Sequence, residues 1–135
     1  MAITEKRSTG DKGEEIACTF LVKQGFKIIE RNHWRKWGEI DIVASSPVGK
    51  LKDIVYHFIE VKTAIRDLSR GEIDEDYSPA DNMTKEKRAR LSRVIQTYIV
   101  ENRLGESDWQ VDVALVYLDK YSDKFKIEVL EDIDL

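Results

Sequence analysis

The sequence predicts one α/β domain, residues 1–135, with a mixed β-sheet flanked by helices in the order α-β-β-β-α-β-β. Three observations predict it. Two segments place apolar residues at helical spacing, and five others are strand-like runs rich in β-branched and aromatic residues. The second helix separates the third strand from the fourth, which makes that connection a crossover between parallel strands. The links between the first three strands are short, so those strands form an antiparallel meander.

The first helix is expected over residues 11–24. Asp11 with Glu14 three residues later resembles a capping box, and Gly25 supplies a stop. Ile16, Ala17, Phe20, Leu21 and Gln24 follow helical spacing and make one face apolar. Strands follow over 26–32, 38–44 and 53–62, with a turn marked by Pro47 and Gly49 after the second. The third strand has two faces that both start apolar, Ile54-Tyr56-Phe58 and Val55-His57-Ile59, which places it centrally, covered on both sides. Residues 64–82 read as a long acidic loop containing Gly71 and Pro79. The second helix is expected over about 83–103, its stripe formed by Leu91, Val94, Ile95, Tyr98 and Ile99. The run at 109–118 is another buried strand, and 124–130 alternates cleanly, as an edge strand does.

Composition narrows the function classes. Hydrophobic residues make up 41% and charged residues 36%, the balance of a globular and not a disordered chain. The lone cysteine, Cys18, excludes an intramolecular disulfide and reads as a reduced, partly buried thiol. The N-terminal stretch is charged throughout, unlike a signal peptide, and no apolar run approaches the ~18 residues of a membrane span. A cytoplasmic protein without a membrane partner is expected. The net charge of −4 argues against broad electrostatic attraction to nucleic acid, but the distribution is uneven. Residues 64–81 hold six acids and two bases, whereas 84–103 hold six bases and two acids, and 23–37 hold five bases against Glu30. On charge alone these are solvated faces.

The third strand carries a more specific signal. Its face Ile54-Tyr56-Phe58 ends in Glu60 and Lys62. Charges on such a face need partners or a cation, and two residues apart they point the same way, roughly 6–7 Å from each other. On the second strand, Ile40, Ile42 and Ala44 are expected on one face, with Asp41 on the other beside Glu39 and Val43. In an antiparallel pair Asp41 and Glu60 can converge. Two carboxylates beside an ammonium suit phosphodiester hydrolysis: oxygen ligands hold a hard divalent cation, and the lysine orients water or stabilises developing charge. Taken alone, Glu60 and Lys62 are better read as an ion pair. The acid on the neighbouring strand shifts the balance toward a site.

The pattern Asp41…Glu60-Val61-Lys62 resembles the PD-(D/E)XK nuclease superfamily. More closely, the chain resembles the YraN family of small bacterial proteins, which is similar to archaeal Holliday-junction resolvases. The matching stretches are Gly13-Glu14-Glu15-Ile16-Ala17, Gly25-Phe26 with Glu30-Arg31-Asn32, Gly38 to Ala44, Phe58 to Thr63, and Val111-Asp112-Val113. Thr84, Lys87, Leu91 and Tyr98 also fit. The resemblance implies a restriction-endonuclease-like fold and a Mg²⁺- or Mn²⁺-dependent nuclease core. It implies Asp41 and Glu60 as metal ligands with the Val61 backbone carbonyl, Lys62 as a catalytic residue, and Glu14 as a further acid of the site. The family usually carries an arginine at the position of Gln110, and its link between the second and third strands is shorter.

Other residues are weighed beside that core. For Glu14, capping and catalysis stand about equal. Asp112, inside an apolar run, reads as a buried carboxylate satisfied by hydrogen bonds. Lys87 and Arg88 sit at the N-terminal end of the second helix's stripe, near the end of the third strand, where a helix start also favours phosphate. Arg90 and Arg93 are expected to point elsewhere into solvent. Nucleic-acid contacts are expected from Arg31, Lys36, Lys85, Lys87 and Arg88. Trp34 and Trp37 could stack on bases, pack in the core or meet a second subunit, so a homodimer stays open. His33 and His57 read as ordinary loop and strand residues. The expected function is metal-dependent cleavage of DNA, with branched or structured DNA as a candidate substrate. A non-cleaving nucleic-acid-binding module and a partner-binding protein are the alternatives.

Overall fold

A computed structural model describes residues 5–48, 53–73, 77–78 and 82–135. Helix α1 (Glu5–Lys23) leads into β1 (Lys27–Arg35), β2 (Gly38–Val48) and β3 (Asp53–Arg66). A 3₁₀ turn (Leu68–Arg70) follows, then helix α2 (Lys85–Glu101), β4 (Asp108–Asp119) and β5 (Phe125–Leu130). The five strands form one open sheet in the order β1-β2-β3-β4-β5. β3 is central and pairs antiparallel with β2 and parallel with β4, as a helical crossover requires. β1 and β5 are antiparallel edges.

One helix covers each face. Ala17 and Leu21 of α1 pack on Ile42, Ala44, Ile59, Ala114 and Val116. Leu91, Val94, Ile95, Tyr98 and Ile99 of α2 pack on Ile40, Val43, Phe58 and Val111. Thr84 caps α2, its hydroxyl accepting from Lys87 N–H at 3.0 Å. Beyond α2, Leu68, Ile73 and Tyr77 cover Val113, Leu115 and Tyr117 of β4. Cys18 is buried and its thiol is pushed up by that burial, the condition of an inert core cysteine. Among the described residues no helix is long and apolar enough to cross a membrane.

Several expectations are corrected. α1 starts at Glu5, so Asp11 and Glu14 lie within the helix and form no capping box. Gly10 weakens a helix by only about 1 kcal/mol, too little to stop one anchored by Ala17 and Leu21. The expected stop holds: Gly25 takes φ +94° and Phe26 N–H closes on Leu21 O. β1 continues to Arg35, and Lys36-Trp37 makes a two-residue turn into β2. β2 runs through Pro47 instead of turning there. The β1 pairing ends at Ser45, so Pro47 pairs with β3 alone and sits where the strand has an open edge, a position that tolerates proline. Gly49 lies outside the described residues, as do 74–76 and 79–81 of the acidic segment. That segment also begins later than expected, because β3 extends to Arg66 alongside β4. On β2, Ile40 packs with Val43 on the α2 side while Ile42 and Ala44 pack on the α1 side. The strict alternation therefore breaks at Asp41.

Two glycines bring helices against the site. A Cβ on Gly13 would fall 1.8 Å from Thr63 Oγ1, so α1 passes close over the end of β3. A Cβ on Gly38 would lie 2.9 Å from Arg90 O, so the β1–β2 turn presses against α2.

Candidate functional site

The break at Asp41 builds the site. The β2–β3 ladder begins at Ile42 opposite Ile59, and the two strands part beyond that pair. The Val61 N–H, left without a strand carbonyl, donates to Asp41 Oδ2 at 2.8 Å. A residue's N–H and C=O leave an extended strand toward the same neighbour, so the Val61 carbonyl also projects to the Asp41 side. Glu60, 8% exposed at the end of β3's α2 face, lies close enough to the Asp41 carboxyl to raise it.

A carboxyl largely withdrawn from water beside a second acid resists ionising. Asp41 is pushed up to about 8, first by burial and then by Glu60, and only the Val61 N–H opposes this strongly. Glu60 has a different partner. Lys87 reaches down from the first turn of α2 and places Nζ 2.8 Å from Glu60 Oε1. The Lys62 ammonium lies beside that of Lys87. Burial lowers Lys62, and the adjacent Lys87 lowers it further. Lys87 is raised despite its burial, because its bond to Glu60 holds the charge. The centre is thus an Asp41 carboxyl that holds its proton beside Glu60, matched by one firmly charged lysine and one weakened lysine.

Glu14 approaches from α1. Its carboxyl lies 3.8 Å from Arg31, and in the amide orientation that satisfies both groups Asn32 donates to Glu14 at 3.2 Å and to Glu39 at 3.0 Å. Asn32 takes φ +52°, a left-handed conformation that asparagine tolerates. Burial raises Glu14, and its field reaches Asp41. Its capping role is gone, and Glu14 is held by Arg31 and Asn32 beside the site.

A cleft of about 430 Å³ opens over the pair. Trp34, Lys36, Trp37 and Arg90 line it together with Asp41, Glu60 and Lys87. The expectation that Arg90 and Arg93 point away is corrected. Arg90 lines the cleft, and Arg93 sits over the Trp37 ring at 4.7 Å. The turn at Lys36-Trp37 leans on α2 at Gly38, and that contact brings the helical wall close to β1. The other residues expected to touch nucleic acid do not line this cleft. Arg31 is held by Glu15 at 2.9 Å, Lys85 is exposed at the start of α2, and Arg88 is half-buried with Nε unpartnered. Tyr77 carries no mark in the sequence that would single it out. It packs within reach of the charges of Glu60 and Lys87, and burial together with Glu60 raises its hydroxyl. Nothing local in an acidic loop distinguishes such a residue.

The donor set suits a hard divalent cation. It consists of carboxylate oxygens and a backbone carbonyl, with Asp41 short of a positive partner. Among the described residues no three His, Cys, Asp or Glu side chains are grouped as a ready-made cage. A cation here would rest on two carboxylates and keep open positions.

A second polar group lies across the sheet. Ser46 Oγ is 2.7 Å from His57 Nε2, and His57 Nδ1 is 2.7 Å from Asp112 Oδ2. Asp112, 1% exposed, also accepts from Gln110 Nε2 at 2.8 Å and Asp132 N–H at 2.9 Å. The order Ser-His-Asp is that of a nucleophilic triad, but an acyl-transfer site also needs free donors for an oxyanion. The N–H groups of Gln24, Gly25 and Phe26, which line the adjoining cleft, are already donated to Phe20, Leu21 and Val22 carbonyls. The chain of bonds is a strut joining β2, β3, β4 and the C-terminal segment. Asp112 is the satisfied buried carboxylate expected of it, and His57 is a strand residue, buried, that links it to Ser46.

Residues 13–116 match the model of uncharacterised protein family UPF0102. The UPF0102 protein of Aliarcobacter butzleri is 37% identical over 131 residues, covering 96% of this chain and 98% of its own. That of Pelobacter propionicus is 40% identical over 115 residues, covering 85% and 74%. A UPF0102 protein of Campylobacter jejuni is 36% identical over 107 residues, covering 79% and 81%.

Proposed function

The chain belongs to the uncharacterised protein family UPF0102, and we propose that it is a metal-dependent nuclease of the PD-(D/E)XK type, with DNA as the favoured substrate. The carrying observation is the contact between Asp41 and Glu60 where β2 and β3 part, beside Lys62 and Lys87, under an open cleft. On this reading the mixed sheet with one helix per face is a restriction-endonuclease-like core.

Asp41 and Glu60 would hold Mg²⁺ or Mn²⁺ with the Val61 carbonyl. The bound cation supplies charge neutralisation at the phosphate and acidifies water. The chain's own residues do the rest. Lys62, with its basicity lowered by burial and by Lys87, releases its proton more readily than a surface lysine. It would orient the attacking water and face charge that develops in the transition state. Lys87 neutralises Glu60 at 2.8 Å and would be available to a phosphate if Glu60 held a cation. Glu14 adds negative field at Asp41 and favours a cation there. Lys36 and Arg90 on the rim take flanking phosphates.

The test is single-turnover cleavage of linear, single-stranded, flapped and four-way DNA with Mg²⁺ and Mn²⁺. Lys62→Ala should lower the rate by about 10²–10³ while DNA affinity in Ca²⁺ stays close to wild type. Equal rates in both proteins would remove Lys62 from catalysis. One observation favours a second reading, the non-cleaving binding module: Lys87 already satisfies a Glu60 oxygen at 2.8 Å. Binding without cleavage of any of these substrates would select it.

A further inference from the structure

We propose that the Trp34 indole is a stacking platform for one unpaired nucleobase beside the Asp41–Glu60 pair, so that the cleft prefers single-stranded or frayed nucleic acid to continuous duplex. This rests on the reading of the cleft as a nucleic-acid site.

Trp34 stands on edge strand β1, opposite Glu39, and is 66% exposed. A large aromatic side chain gains little from folding when it is left in water. Yet this one lines the same cleft as the two carboxyls. The two tryptophans of that wall are not equivalent. Trp37 is half-buried against the α2 core, and its ring is already covered by the Arg93 guanidinium at 4.7 Å. Trp34 is the more exposed of the two, with ring surface left for a ligand.

The dimensions favour one nucleotide over a helical segment. About 430 Å³ is the size of a pocket for a single small ligand. A base inside a duplex is stacked on both sides and offers no face to an indole, so it must be unstacked or already single-stranded to use this wall. The charges match such a ligand. Lys36 and Arg90 are exposed on the rim, where a backbone would run, and the acids lie on the floor. Arg35 is not available to phosphate in the same way, since it forms a two-point ion pair with Glu101.

The experiment is fluorescence anisotropy with a labelled oligodeoxythymidylate of about 15 nucleotides and a blunt duplex of the same length, in EDTA. Without a divalent cation, binding is read independently of cleavage. Trp34→Ala should weaken single-strand binding about 5- to 150-fold, with a smaller effect on the duplex. Trp34→Phe should recover most of the affinity, because it restores an aromatic face and no other feature of tryptophan. Circular dichroism melts of both variants should match wild type, as expected for an exposed side chain. Unchanged single-strand affinity in Trp34→Ala overturns the inference. So does a wild-type protein that binds the single strand no better than the duplex, or not at all. A wild-type dimer that Trp34→Ala dissociates, with oligonucleotide binding unaffected, overturns it in favour of a subunit contact. The nuclease reading fails separately: Trp34-dependent binding with no cleavage in Mg²⁺ or Mn²⁺ leaves the stacking site standing and removes the reaction.

Discussion

Replacing Asp41 by asparagine is expected to stabilise the metal-free protein. In the folded chain Asp41 holds its proton up to about 8, against an ordinary value of 3.8, because it is buried against Glu60. Between those values the folded state binds a proton that the unfolded chain releases. The raised carboxyl therefore removes stability as pH climbs from the lower value to the higher one, and the loss is complete above it. At about 1.36 kcal/mol per pH unit, keeping the proton at pH 7 costs about 4 kcal/mol at most. Asparagine has the same shape, still offers an oxygen to Val61 N–H and a donor to Glu60, and cannot ionise. The carboxyl pair also relaxes in part when Asp41 ionises, which reduces the gain to roughly 1–2 kcal/mol, or a Tm rise of about 3–10 °C for a chain of this size. The assay is thermal unfolding in EDTA at pH 5, 7 and 9. The advantage of Asp41→Asn should be small at pH 5, grow to pH 8 and then level off. A second arm adds Mn²⁺ at about 100 times its Kd, which should stabilise wild type by about 2.7 kcal/mol and leave the variant nearly unmoved. A variant that is natively folded but no more stable than wild type at any pH, or whose advantage does not vary with pH, refutes the reasoning.

Lys36→Glu combined with Arg90→Glu should flatten the salt dependence of DNA binding, by about 0.9 in log–log slope for each duplex phosphate no longer neutralised and about 0.7 for single strands. The slope is measured by titrating DNA at several salt concentrations, and no change would place the backbone elsewhere. Asp112→Asn should cost about 1–3 kcal/mol at pH 7, since it weakens the charge-assisted hydrogen bonds that the buried carboxylate accepts. Burial opposes the Asp112 charge, but hydrogen bonds from His57, Asp132 N–H and Gln110 hold its carboxyl below the usual 3.8. The stability it contributes is therefore full above that value and lost as pH falls through the lowered one. Urea unfolding at pH 7 and near pH 3 should show the gap between wild type and variant closing in acid.

Much of this molecule is legible in the sequence wherever the signal is local. Leu91, Val94, Ile95, Tyr98 and Ile99 recur at the period of a helix, and they are the residues α2 buries. The two faces of β3 follow from period-two alternation, and its double apolar character follows from lying mid-sheet under a helix on each side. Glu60 and Lys62 stand out because charge on such a face needs a partner, and Lys87 because the start of a crossover helix returns to the end of the strand before it. The start of α1 is not legible in the same way. Asp11 and Glu14 imitate a cap, and only continuation of the helix through Glu5–Gly10 decides against one.

Only the tertiary structure decided the rest, because it depends on which backbone groups lack a partner. The alternation of β2 breaks where the strands part, and Val61 N–H then takes the Asp41 carboxyl. That bond brings Asp41 against Glu60, and no periodicity in the sequence contains it. The strut from Ser46 through His57 to Asp112 joins three strands at positions set by register, which a shift of one residue would abolish. The angle of Arg90 on its helix points by itself to solvent. Arg90 lines the cleft because Gly38 lets the β1–β2 turn press against its backbone and brings Trp34 and Trp37 to that wall. Sequence by itself determined which residues had to be buried and which charges needed company. The company each charge keeps was decided by non-local register and by the single point where two strands separate.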